Sequence, residues 1–150
     1  MQDSPHILLV TVDHWPGHLL GAAGHACIQT PTLDEWARSG RRYSCAYSEA
    51  ALCVPARRAL MTGRAPRVHA KAEAVPLLAD IFSRNGYQTY AVGKLHAAPQ
   101  RSRLGFDDVL LCEEGRVPWG VVDDYEAYLA ARGRAGAQFF HGMGNNDYVS

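Results

Sequence analysis

Three groups of residues in this 150-residue chain have types and spacings that could do chemistry. The first is Cys53-Val-Pro-Ala-Arg57. Pro55 fixes φ near the start of a helix, which leaves Cys53 at or just before that helix's N-terminus. Unsatisfied N–H groups and the positive end of the helix dipole favour an anion there, and the reactive form of a thiol with it. Arg57, four residues on, can return its guanidinium along the same face toward position 53; Arg58 and Arg64 add positive charge. A buried cysteine beside a helix cap is the alternative. The second group is Asp13 with His14, at the end of an apolar run. An acid at the carboxyl end of a parallel strand is an oxygen ligand for a hard divalent cation, or else a capping or ion-paired aspartate. The third is Gly93-Lys94-Leu95-His96. In extended chain Lys94 and His96 share a side, and together they suit anion binding and proton handling; a solvated lysine and an incidental histidine are the alternative.

The elements that must position these groups follow from periodicity. His6–Asp13 is a continuous β-branched and apolar run, the pattern of a strand buried on both faces. A Gly- and His-containing loop spans 14–30. Pro31–Gly40 predicts a helix, with Thr30 to cap it and Gly40 to stop it. Arg42–Ser48 alternates like a second strand. Pro55–Thr62 predicts a helix closed by Gly63, and Val75–Arg84 an amphipathic one stopped at Asn85-Gly86. Tyr87–Val92 and Asp107–Leu111 read as strands, Asp123–Arg132 as a helix, and the chain after Gly133 as irregular. Strands alternating with helices specify an α/β sheet with helices on its faces.

Composition removes several classes. Fifteen basic and fifteen acidic side chains cancel, so there is no basic surplus to attract nucleic acid or an anionic membrane. Four cysteines without a CxxC pair make neither a disulfide scaffold nor a zinc knuckle; Cys27, Cys45 and Cys112 are expected as small buried thiols. The apolar run 7–12 is too short for a signal core or a membrane span, and no basic region precedes it, so a cytoplasmic location is expected. His18, His25, His69 and His141 read as loop or core histidines, and Trp15, Trp36 and Trp119 as core or loop anchors.

Taken as a series, these residues carry a resemblance. Ile-Leu-Leu-Val-Thr-Val-Asp13, Thr30-Pro-Thr-Leu-Asp34, Cys53-Val-Pro-Ala-Arg57, Leu60-Met-Thr-Gly-Arg64, Gly86-Tyr-Gln-Thr-Tyr, Gly93-Lys-Leu-His96 and Leu104-Gly-Phe-Asp107 follow one another. In that order they resemble the N-terminal part of a type I sulfatase, within the alkaline-phosphatase-like superfamily. The Gly-Lys-Leu-His form is similar to the choline-sulfatase and phosphonate monoester hydrolase branch. The resemblance implies a mixed, mostly parallel sheet flanked by helices. It implies that residues 1–150 are a sulfatase N-terminal domain truncated at its C-terminal end.

The resemblance also implies the chemistry. Cys53 would be oxidised by a formylglycine-generating enzyme to Cα-formylglycine, whose hydrated aldehyde attacks the sulfur of a small-molecule sulfate ester. Its second hydroxyl, once deprotonated, would then expel sulfate. Arg57 would hold the hydrate. Lys94 would neutralise sulfate oxygens, and His96 would contact the sulfate or assist the leaving oxygen. Asp13, with His14 and the hydrate at position 53, would bind a divalent metal: calcium first, magnesium or manganese otherwise. Two departures from the family pattern stand out. His14 occupies a place where the family often has an acid or amide, and its imidazole shifts preference toward manganese or zinc. A downstream Asp-Asn or Asp-His that completes the family's metal site is not recognisable, since Asn145-Asn146-Asp147 does not follow an apolar run. The expected function is therefore sulfate-ester hydrolysis. A phosphonate or phosphate ester hydrolase of the same superfamily, or a non-catalytic truncated module, is the alternative.

Overall fold

A computed structural model describes residues 4–65, 75–113 and 123–137. Expectations for His69, Trp119, His141 and 145–147 fall outside them. The chain divides into two compact units, Met1–Tyr47 and Ser48–Ser150, each described by itself.

In the first unit, α1 (Pro31–Ser39) forms where expected, with Pro31 in its first turn and Gly40 at its end. Thr30 does not cap α1 with its side chain. Its hydroxyl instead accepts from the Gly21 N–H (2.9 Å) and donates to Asp34 Oδ1 (2.8 Å). Asp34 Oδ1 also accepts from Ala22 N (2.7 Å). The Thr-Pro-Thr-Leu-Asp motif thus pins the preceding loop, with its short 3₁₀ turns at Gly17–Leu19 and Gly21–Ala23, onto the start of α1. Gly21 is required at this contact, because a Cβ there would lie 2.5 Å from Asp34 Oδ2.

Two strand expectations are corrected here. Residues 7–12 form no strand and pair into no sheet among the described residues, and Leu8 is 82% exposed where burial on both faces was expected. Residues 42–48 form bends and loop, with Tyr43 and Tyr47 exposed. An apolar or alternating pattern supplies the inclination to extend, but a strand also needs a neighbour to take its N–H and C=O groups.

The second unit holds α2 (Cys53–Thr62), α3 (Leu78–Arg84), β1 (Tyr90–Gly93), β2 (Asp108–Leu111) and α4 (Asp124–Ala131). β1 and β2 pair in parallel, Tyr90 opposite Asp108 and Gly93 opposite Leu111. The α/β class is as the sequence implies: a parallel sheet flanked by helices. α4 packs on β2, and α2 against α3. Leu95 and Leu111 form the core, with Met61 of α2, Ala91, Leu104, Phe106 and Val109 around them. Met61 therefore ties α2 to the sheet.

α3 starts three residues later than its apolar pattern. Asp80 accepts from the Leu77 N–H (3.2 Å) and so sets the helix start at Leu78. The Leu-Gly-Phe-Asp motif fastens the beginnings of the two strands: Asp107 Oδ2 accepts from Thr89 N (2.7 Å) and the Thr89 hydroxyl (3.0 Å). Among the described residues no helix is long and apolar enough to cross a membrane.

Candidate active site

Cys53 is the first residue of α2, half-buried, and Leu52 provides no side-chain cap. The first helical hydrogen bond runs from Ala56 N to Leu52 O (3.0 Å). The N–H groups of Cys53 and Val54 precede it, and Pro55 has none to offer. Proline at the third position thus loses nothing, while the helix end remains a place for an anion. Gly63, at φ +65°, closes the helix by donating to Ala59 O. A short helix with its N-terminus uncapped is what presents position 53.

Arg57 sits one turn further on. Its guanidinium donates to the backbone carbonyl of Lys94, across 37 positions of sequence. The structure thus takes Arg57 beyond its own helix, fastening the Cys53 helix to the Gly93–His96 loop. Spacing alone had aimed it only at position 53.

The loop itself departs from the extended geometry that was to put Lys94 and His96 on one side. β1 ends at Gly93, whose φ is +106°, and His96 has φ +55°. A left-handed conformation costs a residue with a Cβ about 1–2 kcal/mol and persists only where its surroundings hold it. Here they do. Glu113 is 2% exposed, and its Oε1 accepts from Leu95 N (2.9 Å) and His96 N (2.7 Å). The Glu113 N–H donates to Asp123 Oδ2 (2.9 Å), and Asp123 Oδ1 caps α4 through Glu126 N (2.8 Å). Sequence reading passed over Glu113. Its signal is visible only with the strand register: β1 and β2 are offset by eighteen positions, as are Leu95 and Glu113.

Asp13 and His14 belong to the first unit, at a turn after the apolar run, and His14 has φ +56°. Asp13 is half-buried and His14 exposed. Among the described residues no three His, Cys, Asp or Glu side chains group to hold a metal ion. A hard cation takes roughly six or more oxygen donors. One carboxylate and one imidazole do not make such a sphere, so the described residues do not fit a complete metal site.

The remaining cysteines correct an expectation: Cys27 and Cys45 are exposed and Cys112 is half-buried, because the segments that carry them pack less closely than their composition suggested. Trp15 and Trp36 are exposed as well. His25 has a local structural job, its Nδ1 accepting from Cys27 N (3.2 Å) and Ile28 N (2.9 Å).

Comparison with known proteins places this geometry in context. The family profile described as Sulfatase matches residues 5–131. An arylsulfatase from Clostridium perfringens is 33% identical over 115 residues, covering 71% of this chain and 24% of that protein. An ulvan-active sulfatase from Formosa agariphila is 32% identical over 119 residues (69% and 23%). Human arylsulfatase A is 34% identical over 105 residues (61% and 21%). The chain spans about a quarter of the length of the curated relatives it matches. These relatives do not single out the choline-sulfatase or phosphonate branch.

Proposed function

The chain belongs to the sulfatase family, and from that premise we propose that it carries the nucleophile end of a sulfuric ester hydrolase, with Cys53 as the residue converted to formylglycine. The observation that supports this reading best is the Arg57 bond to the Lys94 carbonyl. It joins the Cys-x-Pro-x-Arg helix to the Gly-Lys-Leu-His loop, so the candidate nucleophile and the candidate anion-binding groups belong to one fastened assembly.

The roles follow from position. Formylglycine at position 53 would supply, as its hydrate, an oxygen nucleophile that can release sulfate without water attacking sulfur. The uncapped end of α2 offers N–H groups and a favourable dipole to negative charge there. Arg57, anchored at Lys94, adds a fixed cationic group beside the same helix face. Lys94 neutralises sulfate oxygens. His96 contacts the sulfate or gives a proton to the departing alcohol oxygen. Asp13, with His14, is this chain's own contribution toward a divalent cation (calcium first, magnesium or manganese next), but two donors carry no catalytic step by themselves. The substrate is a small-molecule sulfate ester, and maturation calls for a formylglycine-generating enzyme.

The test is a full-length protein produced beside that enzyme and assayed on an aryl sulfate and an aryl phosphonate in parallel. Faster turnover of the sulfate, abolished in Cys53→Ala, is the expected result. Preference for the phosphonate would move the protein to the phosphonate-hydrolase reading, and inactivity of fully matured protein on both would leave a non-catalytic module.

A further inference from the structure

The chain leaves the Gly93–His96 loop and, after only Ala97, Ala98 and Pro99, enters the wall of a cavity of about 360 Å³. That size lies within the range of ligand sites. Residues 100–103 form one wall and β2 another, and Asp124 at the start of α4 closes it. Its polar lining is built from pairs. Arg101 donates to Asp124 Oδ1 (2.7 Å), and the other oxygen of Asp124 accepts from Leu111 N (2.7 Å). Arg103 donates to the Asp107 carbonyl (2.5 Å) and lies 3.9 Å from Asp108 Oδ1. Exposed ion pairs contribute little to stability. Their consequence here is geometric: two guanidiniums and two carboxylates are held around one cavity, beside Gln100 and Ser102.

Charge balance decides what such a lining takes. Two cations and two anions cancel, so a free sulfate or phosphate gains no net attraction. A sugar ring does gain. Guanidinium N–H groups donate to its hydroxyl oxygens, carboxylates accept its hydroxyl protons, and Gln100 and Ser102 do both. A second feature points the same way. Tyr128 follows Asp124 by one turn of α4. Its ring stacks on that of Tyr125 (centroids 6.3 Å), and the Arg132 guanidinium lies 3.6 Å over it. Both tyrosines keep much of their surface in solvent, and the C–H faces of sugars pack on such rings.

We propose that this cavity is a glycosyl-binding subsite, and that the sulfate ester hydrolysed beside it is carried on a carbohydrate. The inference rests on the sulfatase reading of the Gly93–His96 loop. Four peptide units separate His96 from Gln100, at most about 14 Å of extended chain. An oligosaccharide spans that distance, with one sugar presenting its sulfate at the loop and another seated in the cavity. An aryl sulfate cannot occupy both. No bond is made or broken in the cavity, so its contribution is binding remote from the reacting sulfur, and its loss acts on KM rather than on kcat.

The experiment assays the full-length, formylglycine-matured protein on sulfated oligosaccharides built on galactose, N-acetylgalactosamine, N-acetylglucosamine and fucose, with 4-nitrophenyl sulfate beside them. Wild type should turn over at least one oligosaccharide with a higher kcat/KM than 4-nitrophenyl sulfate. On that oligosaccharide Arg101→Ala should raise KM about tenfold or more with kcat little changed, and it should leave 4-nitrophenyl sulfate kinetics as they are. Gln100→Trp, which fills the cavity and keeps both guanidiniums, should do the same. Equal losses on 4-nitrophenyl sulfate, an unchanged oligosaccharide KM in both variants, or no oligosaccharide better than the aryl sulfate would overturn the inference. Ligand-observed NMR with the desulfated forms of the same oligosaccharides provides a readout independent of turnover: at least one should bind wild type and not Gln100→Trp. If wild type hydrolyses no sulfate ester while that binding is seen, the sulfatase reading fails and the glycosyl site stands. Absence of binding by every desulfated oligosaccharide sinks the inference whatever the activity.

Discussion

At the scale of single residues, the half-buried thiol at the first position of α2 is the only cysteine with a proline two and an arginine four positions on. Cys53 alone should therefore show the thiol-to-aldehyde mass loss when the protein is made beside a formylglycine-generating enzyme. Peptide mass spectrometry reads this directly, and an unmodified Cys53 peptide would count heavily against the proposed function. A second residue-scale outcome concerns acid. The Thr89 N–H, and then the Thr89 hydroxyl, hold the Asp107 carboxyl below its ordinary 3.8, outweighing slight desolvation. For Asp124 burial pushes upward, but the Leu111 N–H and Arg101 outweigh it and the net direction is also down. A carboxyl whose folded value is depressed contributes stability above its unfolded value, and that contribution is lost as pH falls through the folded one. Urea midpoints should therefore drop below about pH 4, and Asp107→Asn should flatten that acid limb. A variant with the wild-type acid limb would show that Asp107 is not a source of it.

At the scale of elements, the start of α3 and the turn into β2 depend on one close approach. Gly105 has φ +84°, and a Cβ there would lie 2.4 Å from Asp80 Oδ1. Asp80 cannot yield without giving up the Leu77 N–H that begins α3. Gly133, after α4, has φ +68° and open space around it. Gly133→Ala should thus lose only the left-handed penalty, about 1 kcal/mol, and Gly105→Ala about 2–4 kcal/mol, since overpacking adds to it. Chemical denaturation of both variants measures the difference; equal losses would mean that Asp80 moves aside freely. The same element scale explains which parts of the sequence were legible. α1, α2 and α4 carry local signals, Pro31, Pro55 with Gly63, and Asp123, and begin and end within a few residues of where those signals put them. The runs at 7–12 and 42–48 had only a pattern, and pattern without a pairing partner leaves a strand unmade.

At the scale of the whole molecule, the question is how much of a catalytic apparatus this stretch contains. Cys53, Arg57, Lys94 and His96 belong to one compact unit, and Asp13 and His14 to the other. With two metal donors among the described residues, of the roughly six a hard cation needs, the 150-residue chain by itself should show no metal-dependent turnover of an aryl sulfate, even after maturation. The full-length protein should turn over in a calcium-, magnesium- or manganese-dependent manner, with Asp13→Ala lowering the rate about 100-fold or more. Turnover by the short chain would mean that donors outside the described residues, Asn145 to Asp147 first, complete the site.

Residue order by itself determined the family resemblance, the helix that carries Cys53 and the list of chemically able side chains, because helix ends, prolines and motif spacings are local properties of the chain. Tertiary structure alone decided where those side chains are tied. Arg57 reaches Lys94 across 37 positions, and Glu113 reaches Leu95 across eighteen. Both links depend on strand register and helix packing, which no local pattern encodes. Nothing in the local sequence around Glu113, between Cys112 and Glu114, marks it out. Only the parallel pairing of β1 with β2 turns it into the acceptor that holds the loop.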